Sequence, residues 1–241
     1  MPTATTAIGI DVGIARFATL SDGRCIAPLN SLKKHQLRLA RYRRRMGRKV
    51  KFSSHWKKQK AKVQKIHAQI ANARKDFLPK TSTAIRQNHA LVCIENLQVR
   101  NMSRSAKGNR EQPGKRVWQK AGLNRCILDQ GWAEFRRQLA YKMEWSGALL
   151  LAVPAHHTRQ TCPNCGHVAP ENRRTQQPFQ CAACGHRAHA DVVGAINVLA
   201  RGQRLIACGE KGTGRSRKTA AQPASVKQEP AEATMQEAAH A

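Results

Sequence analysis

Acidic residues are what this chain has least of. Of its 241 residues only 14 are Asp or Glu, against 43 Lys and Arg, and the formal net charge is +29. That imbalance points to a polyanionic partner, nucleic acid before an anionic membrane surface. A long apolar run is also missing. The longest stretch, about 147–155, is interrupted by Pro154, whereas a membrane span needs about 20 apolar residues. No membrane segment is expected. Met1–Thr6 carries neither positive charge nor a long hydrophobic core, so no secretory signal is expected and the setting reads as intracellular. Eight cysteines in such a setting argue for metal ligation or free thiols rather than a disulfide framework.

What is present suffices for a core. Hydrophobic residues make up 41% of the chain, with 16 glycines besides, which is ordinary for a globular protein and excludes a wholly disordered basic chain. The length fits one large domain, or one domain plus a small one.

The pattern along the chain predicts an α/β protein. Residues 7–12, 15–20 and 24–28 read as a three-strand meander, with a hairpin turn at Ser21-Asp22-Gly23. Residues 31–75 hold 17 Lys and Arg and no acid at all. There, apolar and aromatic residues recur in steps of three and four at Leu32, Leu39, Tyr42 and Met46, then at Trp56, Val63, Ile66, Ile70, Ala73 and Phe77. This is the seam of an antiparallel helical hairpin, bounded at 31–88, with a basic exterior. Its candidate phosphate contacts are Lys33, Lys34, Arg41, Arg43, Arg44, Arg45, Arg48, Lys49, Lys57 and Lys58. Tyr42, Phe52 and Trp56 interleave with the charge and could stack on bases, although the spacing of Tyr42 and Trp56 suits the seam. A strand follows at 91–95. A basic loop at 100–122 adds Arg104 and Lys107 as candidate contacts. One helix is expected over 123–146, with Ile127, Leu128, Trp132, Phe135, Leu139 and Met143 on one side. A strand at 148–153, a cysteine module at 161–187, a last helix from 190 and a disordered tail over 209–241 complete the reading.

Cys162-Pro-Asn-Cys165-Gly and Cys181-Ala-Ala-Cys184-Gly are 15 residues apart. Four thiolates at that spacing can surround one structural Zn²⁺ tetrahedrally, as in zinc ribbons. A redox Cys-x-x-Cys or a pair of disulfides is the plainer alternative. His167, His186 and His189 are expected to be bystanders.

With acids so scarce, three placements stand out. Asp11 ends the first strand, Glu95 ends the 91–95 strand, and Asp191 opens the last helix. Brought together, three carboxylates repel unless they surround divalent cations, and such a cluster with two Mg²⁺ or Mn²⁺ ions can cleave phosphodiesters. Each also has a bland role: Asp11 facing solvent, Glu95 ending a strand, Asp191 capping a helix.

The succession Gly9-Ile-Asp-Val-Gly13, Ile94-Glu-Asn-Leu97, Leu128-Asp-Gln-Gly-Trp132, Thr161-Cys-Pro-Asn-Cys-Gly166 and Asp191-Val-Val-Gly-Ala-Ile-Asn197 resembles the OrfB/TnpB family, proteins encoded by bacterial insertion sequences. The resemblance covers about 8–201. It implies an RNase H-like, RuvC-type mixed sheet carrying the basic helical hairpin and a zinc ribbon inserted before the last helix. The implied division is a core over 7–160, a ribbon over 161–187 and the last core helix over 188–205. It also implies Mg²⁺-dependent DNA cleavage guided by an RNA, in the bacterial cytoplasm at the nucleoid, with Asp11, Glu95 and Asp191 as catalytic acids. Cys162, Cys165, Cys181 and Cys184 would hold zinc. Asn197 matches a family asparagine, but six residues from Asp191 does not put both on one helix face. Family members carry a large segment before the first strand, whereas seven residues precede Ile8 here. The expectation is a shortened chain with a complete catalytic motif and no recognition half, which argues against guided cleavage by this chain alone. A non-catalytic, basic zinc-ribbon binder of nucleic acid is the alternative.

Overall fold

The computed structural model describes residues 6–208, and the tail expected to be disordered, 209–241, lies outside the described residues. Two apolar, β-branched runs form the centre of the sheet: β1 (Ala7–Val12) and β4 (Leu91–Glu95). They pair in parallel, and β5 (Leu149–Val153) extends the parallel side. On the other side β2 (Ala18–Leu20) and β3 (Cys25–Ile26) add antiparallel, giving the order β3-β2-β1-β4-β5. The result is a mixed sheet of five strands. Near-continuous burial of β1 and β4 follows from helices covering both faces.

Side-chain alternation sends Ile8, Ile10, Val12, Val92 and Ile94 to one face, where they meet Phe17, Ile85, Phe135, Leu139 and Met143. Phe17 is fully buried, with edge-on contacts to Phe77 and Phe135, both at 5.0 Å between centroids. The helices on this face are α2 (Ser54–Asn88) and, following α3 (Val99–Met102) and α4 (Val117–Gln130), α5 (Trp132–Trp145). The opposite face is covered by α6 (Ala190–Ala207), whose Val198, Leu199 and Leu205 pack on Cys93, Leu151 and Val153. Here helix and sheet approach very closely. A Cβ on Gly9 would run into the Ala195 carbonyl, so only glycine permits α6 to lie this near β1.

The basic hairpin forms as expected from α1 (Ser31–Gly47) and the first half of α2. Leu39, Val63, Ile66 and Ile70 are buried between them, with Leu32 and Tyr42 against that cluster. Phe77, expected in the same seam, belongs to the main core instead, because α2 runs on past α1 and onto the sheet. Asp129 ties the root of the hairpin to α4, its Oδ2 accepting from the Leu32 N–H at 2.9 Å.

Three expectations need correction. The second and third strands are shorter than read, at 18–20 and 25–26. The loop over 100–122 contains α3 and the start of α4. The helix expected over 123–146 is two helices broken at Gly131, whose φ of +75° is a left-handed cap. The break resets the helical phase, so Ile127 is buried while Leu128 is 54% exposed.

Candidate functional site

The parallel register of β1 and β4 aligns Ile10 with Ile94, so the next residues, Asp11 and Glu95, sit side by side at the carboxyl ends of their strands. Both follow residues that face the α2/α5 core, and both therefore point to the α6 side, where Gly194 leaves room for the Asp11 carboxylate. Asp11 is 2% exposed and Glu95 5%. Asp191 stands in the first turn of α6, half-buried, with its N–H bonded to the capping His189 Nδ1 at 3.2 Å. Gly194 follows it at i+3, so Asp191 lies on the helix edge that faces Asp11. The solvent-facing role for Asp11 is thereby excluded.

The electrostatics follow from this arrangement. Burial raises the Asp11 carboxyl from its ordinary value to about 7; Arg159 opposes the rise, and Glu95 and Asp191 add to it. Burial also raises Glu95, while its hydrogen bond from Thr158 and the charge of Arg159 pull it back. Thr158 Oγ1 donates to Glu95 Oε1 at 2.8 Å.

Arg159 is the residue that sequence reasoning missed. Its Nε donates to Asp11 Oδ2 at 2.9 Å, and its Nη2 donates to Asp11 Oδ1 and to the Val12 carbonyl. As one of 43 basic residues it gave no signal of its own. Asn197 gains a definite role: its Nδ2 donates to the carbonyls of Thr158 and Thr161, both at 2.7 Å. It fixes to α6 the segment that carries Thr158 and Arg159. Arg201 does the same further back, through the carbonyls of Pro154 and His156. In front of the acids lies an open cleft of about 610 Å³, lined in part by Glu95, His157, Arg159 and Arg173. A larger cavity of about 840 Å³ lies away from the acids, between α1 and α4, with Lys33, Arg43, Arg44 and Arg125 in its wall.

The cysteine module is two matched knuckles. Gly166 and Gly185 hold φ near +75° and +72°, and their N–H groups return to the carbonyls of Cys162 and Cys181. β6 (Pro178–Gln180) pairs with β7 (Arg187–His189), and buried Asn172 stitches the halves through Gln160, His167 and Ala182. The four sulfurs lie within 4.8 Å of one another, with Cys162–Cys184 at 3.6 Å and Cys165–Cys181 at 3.5 Å. These separations are far from the ~2.05 Å of a disulfide and close to the ~3.8 Å edge of a tetrahedron with 2.3 Å metal–sulfur bonds. Backbone N–H groups, that of Cys184 foremost, lower the Cys181 thiol, while neighbouring thiols raise Cys165 and Cys184. The four cysteines can hold a metal ion, and among the described residues no histidine joins the group. The knuckles feed through β7 straight into Asp191.

Asp11, Glu95 and Asp191 do not form a comparable cluster among the described residues, and both oxygens of Asp11 accept from Arg159. Their donor type, hard carboxylate oxygen, suits a divalent cation. The twelve candidate phosphate contacts are all exposed, and among the described residues none of them is in an ion pair. No described helix is long and apolar enough to cross a membrane.

Comparison with known proteins agrees with this layout. Residues 1–106 match the OrfB_IS605 family, described as a probable transposase, and residues 132–198 match the Cas12f1-like TNB domain. The chain is 54% identical over 203 residues to "Putative RNA-guided DNA endonuclease InsQ" of Escherichia coli (strain K12), covering 84% of this chain and 50% of that protein. A protein of the same description from Streptomyces pristinaespiralis is 35% identical over 234 residues, covering 97% and 54%. The chain thus spans about half the length of these curated relatives. Among solved structures it superposes on Cas12f1 in a complex with sgRNA and target DNA, with a TM-score of 0.52, 18% identity and coverage of 83% and 50%. A CRISPR-Cas12f ternary complex gives 0.50, 19%, 83% and 40%. At that identity the likeness is one of fold. With both halves of the chain matched in order, and with more than half of the aligned residues shared with InsQ, the chain belongs to the OrfB family of transposase-associated, TnpB-like proteins.

Proposed function

We propose that this chain is the nuclease part of an RNA-guided DNA endonuclease, with an RNase H-like, RuvC-type core. The observation that carries the reading is the pairing of buried Asp11 and Glu95 at adjacent strand ends, with Asp191 in the first turn of the helix that packs over β1. Asp11, Glu95 and Asp191 are the catalytic acids in this reading and would hold Mg²⁺ or Mn²⁺. Such ions, when bound, activate a water and stabilise the leaving oxygen, so that a 3′-hydroxyl and a 5′-phosphate result. The chain's own contributions are different. Thr158 orients Glu95, Asn197 holds the Thr158–Thr161 segment, and the exposed arginines and lysines of the hairpin, with Arg104 and Lys107, grip the DNA and a guide RNA.

In the same reading the core spans 7–160 and resumes at 188–205 around a ribbon at 161–187. Cys162, Cys165, Cys181 and Cys184 hold a structural Zn²⁺ that sets the start of α6. A cytoplasmic, nucleoid-associated setting goes with these partners. The test is nicking of plasmid DNA by the purified chain, with and without RNA from the end of its element. Nicking with Mg²⁺ or Mn²⁺ that EDTA and Asp11→Ala both abolish is expected; equal activity of wild type and Asp11→Ala would overturn the assignment.

A second reading, a non-catalytic binder, is favoured by the Arg159–Asp11 pair, which satisfies the buried carboxylate without a metal. It requires salt-dependent DNA binding with no metal-dependent nicking.

A further inference from the structure

We propose that the tip of the basic hairpin is a base-stacking platform for single-stranded nucleic acid, with Phe52 as its contact face. The turn between α1 and α2 puts Phe52 at φ +68°, a left-handed conformation that glycine or asparagine adopts easily and a bulky aromatic does not. The side chain gains no burial in return, being 64% exposed beside Val50 at 80%. Turn chemistry does not call for an aromatic ring on a backbone that disfavours it, and the contact it makes with Trp56 leaves it largely exposed.

The surroundings say what would cover it. The Phe52 ring rests edge-on against Trp56, with centroids 5.4 Å apart, and Lys51 Nζ lies 5.0 Å from the Phe52 ring centre. Lys60 Nζ stands 5.3 Å from the Trp56 ring. Arg48, Lys49, Lys57 and Lys58 are exposed around the tip, and no acid lies anywhere in residues 31–75. Ser53 caps α2, its hydroxyl accepting from the Trp56 N–H at 3.2 Å, so the aromatic pair stands on a fixed turn. An aromatic face ringed by cations is complementary to a nucleobase with its flanking phosphates. Duplex bases hide their faces from such a platform, so the partner is an unpaired stretch. The 17 residues of α1 separate the tip from the root of the hairpin by about 25 Å.

The proposal rests on the nucleic-acid reading above, and the test separates the two. The full chain is titrated with fluorescent 20-mers of single-stranded DNA and RNA, and with an abasic strand of equal length, by anisotropy. Wild type is expected to bind the base-containing strands about tenfold or more tighter than the abasic strand. Phe52→Gly, which takes the same turn without strain, is expected to keep the melting temperature, the abasic affinity and its salt dependence while losing most of that excess. Phe52→Trp is expected to retain it. An unchanged ratio of base to abasic affinity in Phe52→Gly would overturn this proposal alone and leave the tip to a protein contact. Failure of wild type to bind any strand would overturn the nucleic-acid reading with it.

Discussion

The guanidinium of Arg159 lies across the carboxylate of Asp11, one nitrogen to each oxygen, although the two residues are 148 positions apart in the chain. Asp11 is almost wholly enclosed while Arg159 keeps 28% of its side chain in solvent. The pair therefore supplies a positive charge, at the strand ends, to a carboxylate that burial alone would leave uncompensated.

This arrangement fixes a pH dependence. Burial raises Asp11 to about 7, against 3.8 for an unperturbed group. A carboxyl that holds its proton more tightly when folded costs the fold nothing below about pH 4, costs progressively more between about pH 4 and 7, and adds nothing further above that. Arg159 lessens that cost. Arg159→Ala should therefore match wild type most nearly at pH 5 and fall behind by about 1.5–3 kcal/mol at pH 8 to 9. Urea denaturation at a series of pH values, without added magnesium, measures the gap. A gap independent of pH would mean that Arg159 acts by packing and not by charge.

Asn197 joins α6 to the segment in front of the acids through two hydrogen bonds of 2.7 Å. Asn197→Ala leaves two carbonyls without their donor, at about 1 kcal/mol each. Asn197→Asp sets a negative charge against both and should cost more. Denaturant melts order the three proteins as wild type, Ala, Asp. In the nuclease reading, cleavage by Asn197→Ala falls further than its stability does, because Thr158 no longer holds Glu95.

Much of this layout is legible in the sequence, and the parts that are not share a cause. β1 and β4 read as buried strands because local composition decides them. The knuckles read as a ligand set because four sulfurs within 23 residues leave few alternatives. Asp11, Glu95 and Asp191 could be singled out because acids are rare in this chain. Arg159 could not, since its partner is set by tertiary packing and basic residues are everywhere. The role of Asn197 is not legible from its spacing to Asp191, because it bonds the backbone of a different segment. The break at Gly131 was within reach, as a glycine inside a helical pattern is a cap signal, but the continuing apolar period of Trp132, Phe135, Leu139 and Met143 masked it.

The cysteine knuckles lead directly into α6, with His189 ending β7 and Asp191 two residues later. Loss of the metal should therefore disturb the acids as well as the ribbon. The purified chain is expected to carry one zinc ion, and Cys181→Ser to carry less than half of that by metal analysis. The variant should melt earlier and lose metal-dependent nicking although Asp11, Glu95 and Asp191 are intact. A Cys181→Ser chain with full zinc content would exclude the cluster as the site.

Arg43, Arg44 and Arg45 are consecutive and exposed on α1, and none is in an ion pair among the described residues. Replacing all three with Gln removes three positive charges, together with the exposed Arg43–His67 hydrogen bond and the Arg45–Tyr42 contact, so stability should stay within about 0.5 kcal/mol per site. Binding should respond strongly. Each phosphate contact on duplex DNA contributes about 0.9 to the slope of log affinity against log salt. If three arginines touch phosphate, the slope falls by about 2.7. If only those facing one groove do, it falls by about 1 to 2. Titrations between 50 and 200 mM salt read the difference, and an unchanged slope would place the DNA on another face of the molecule.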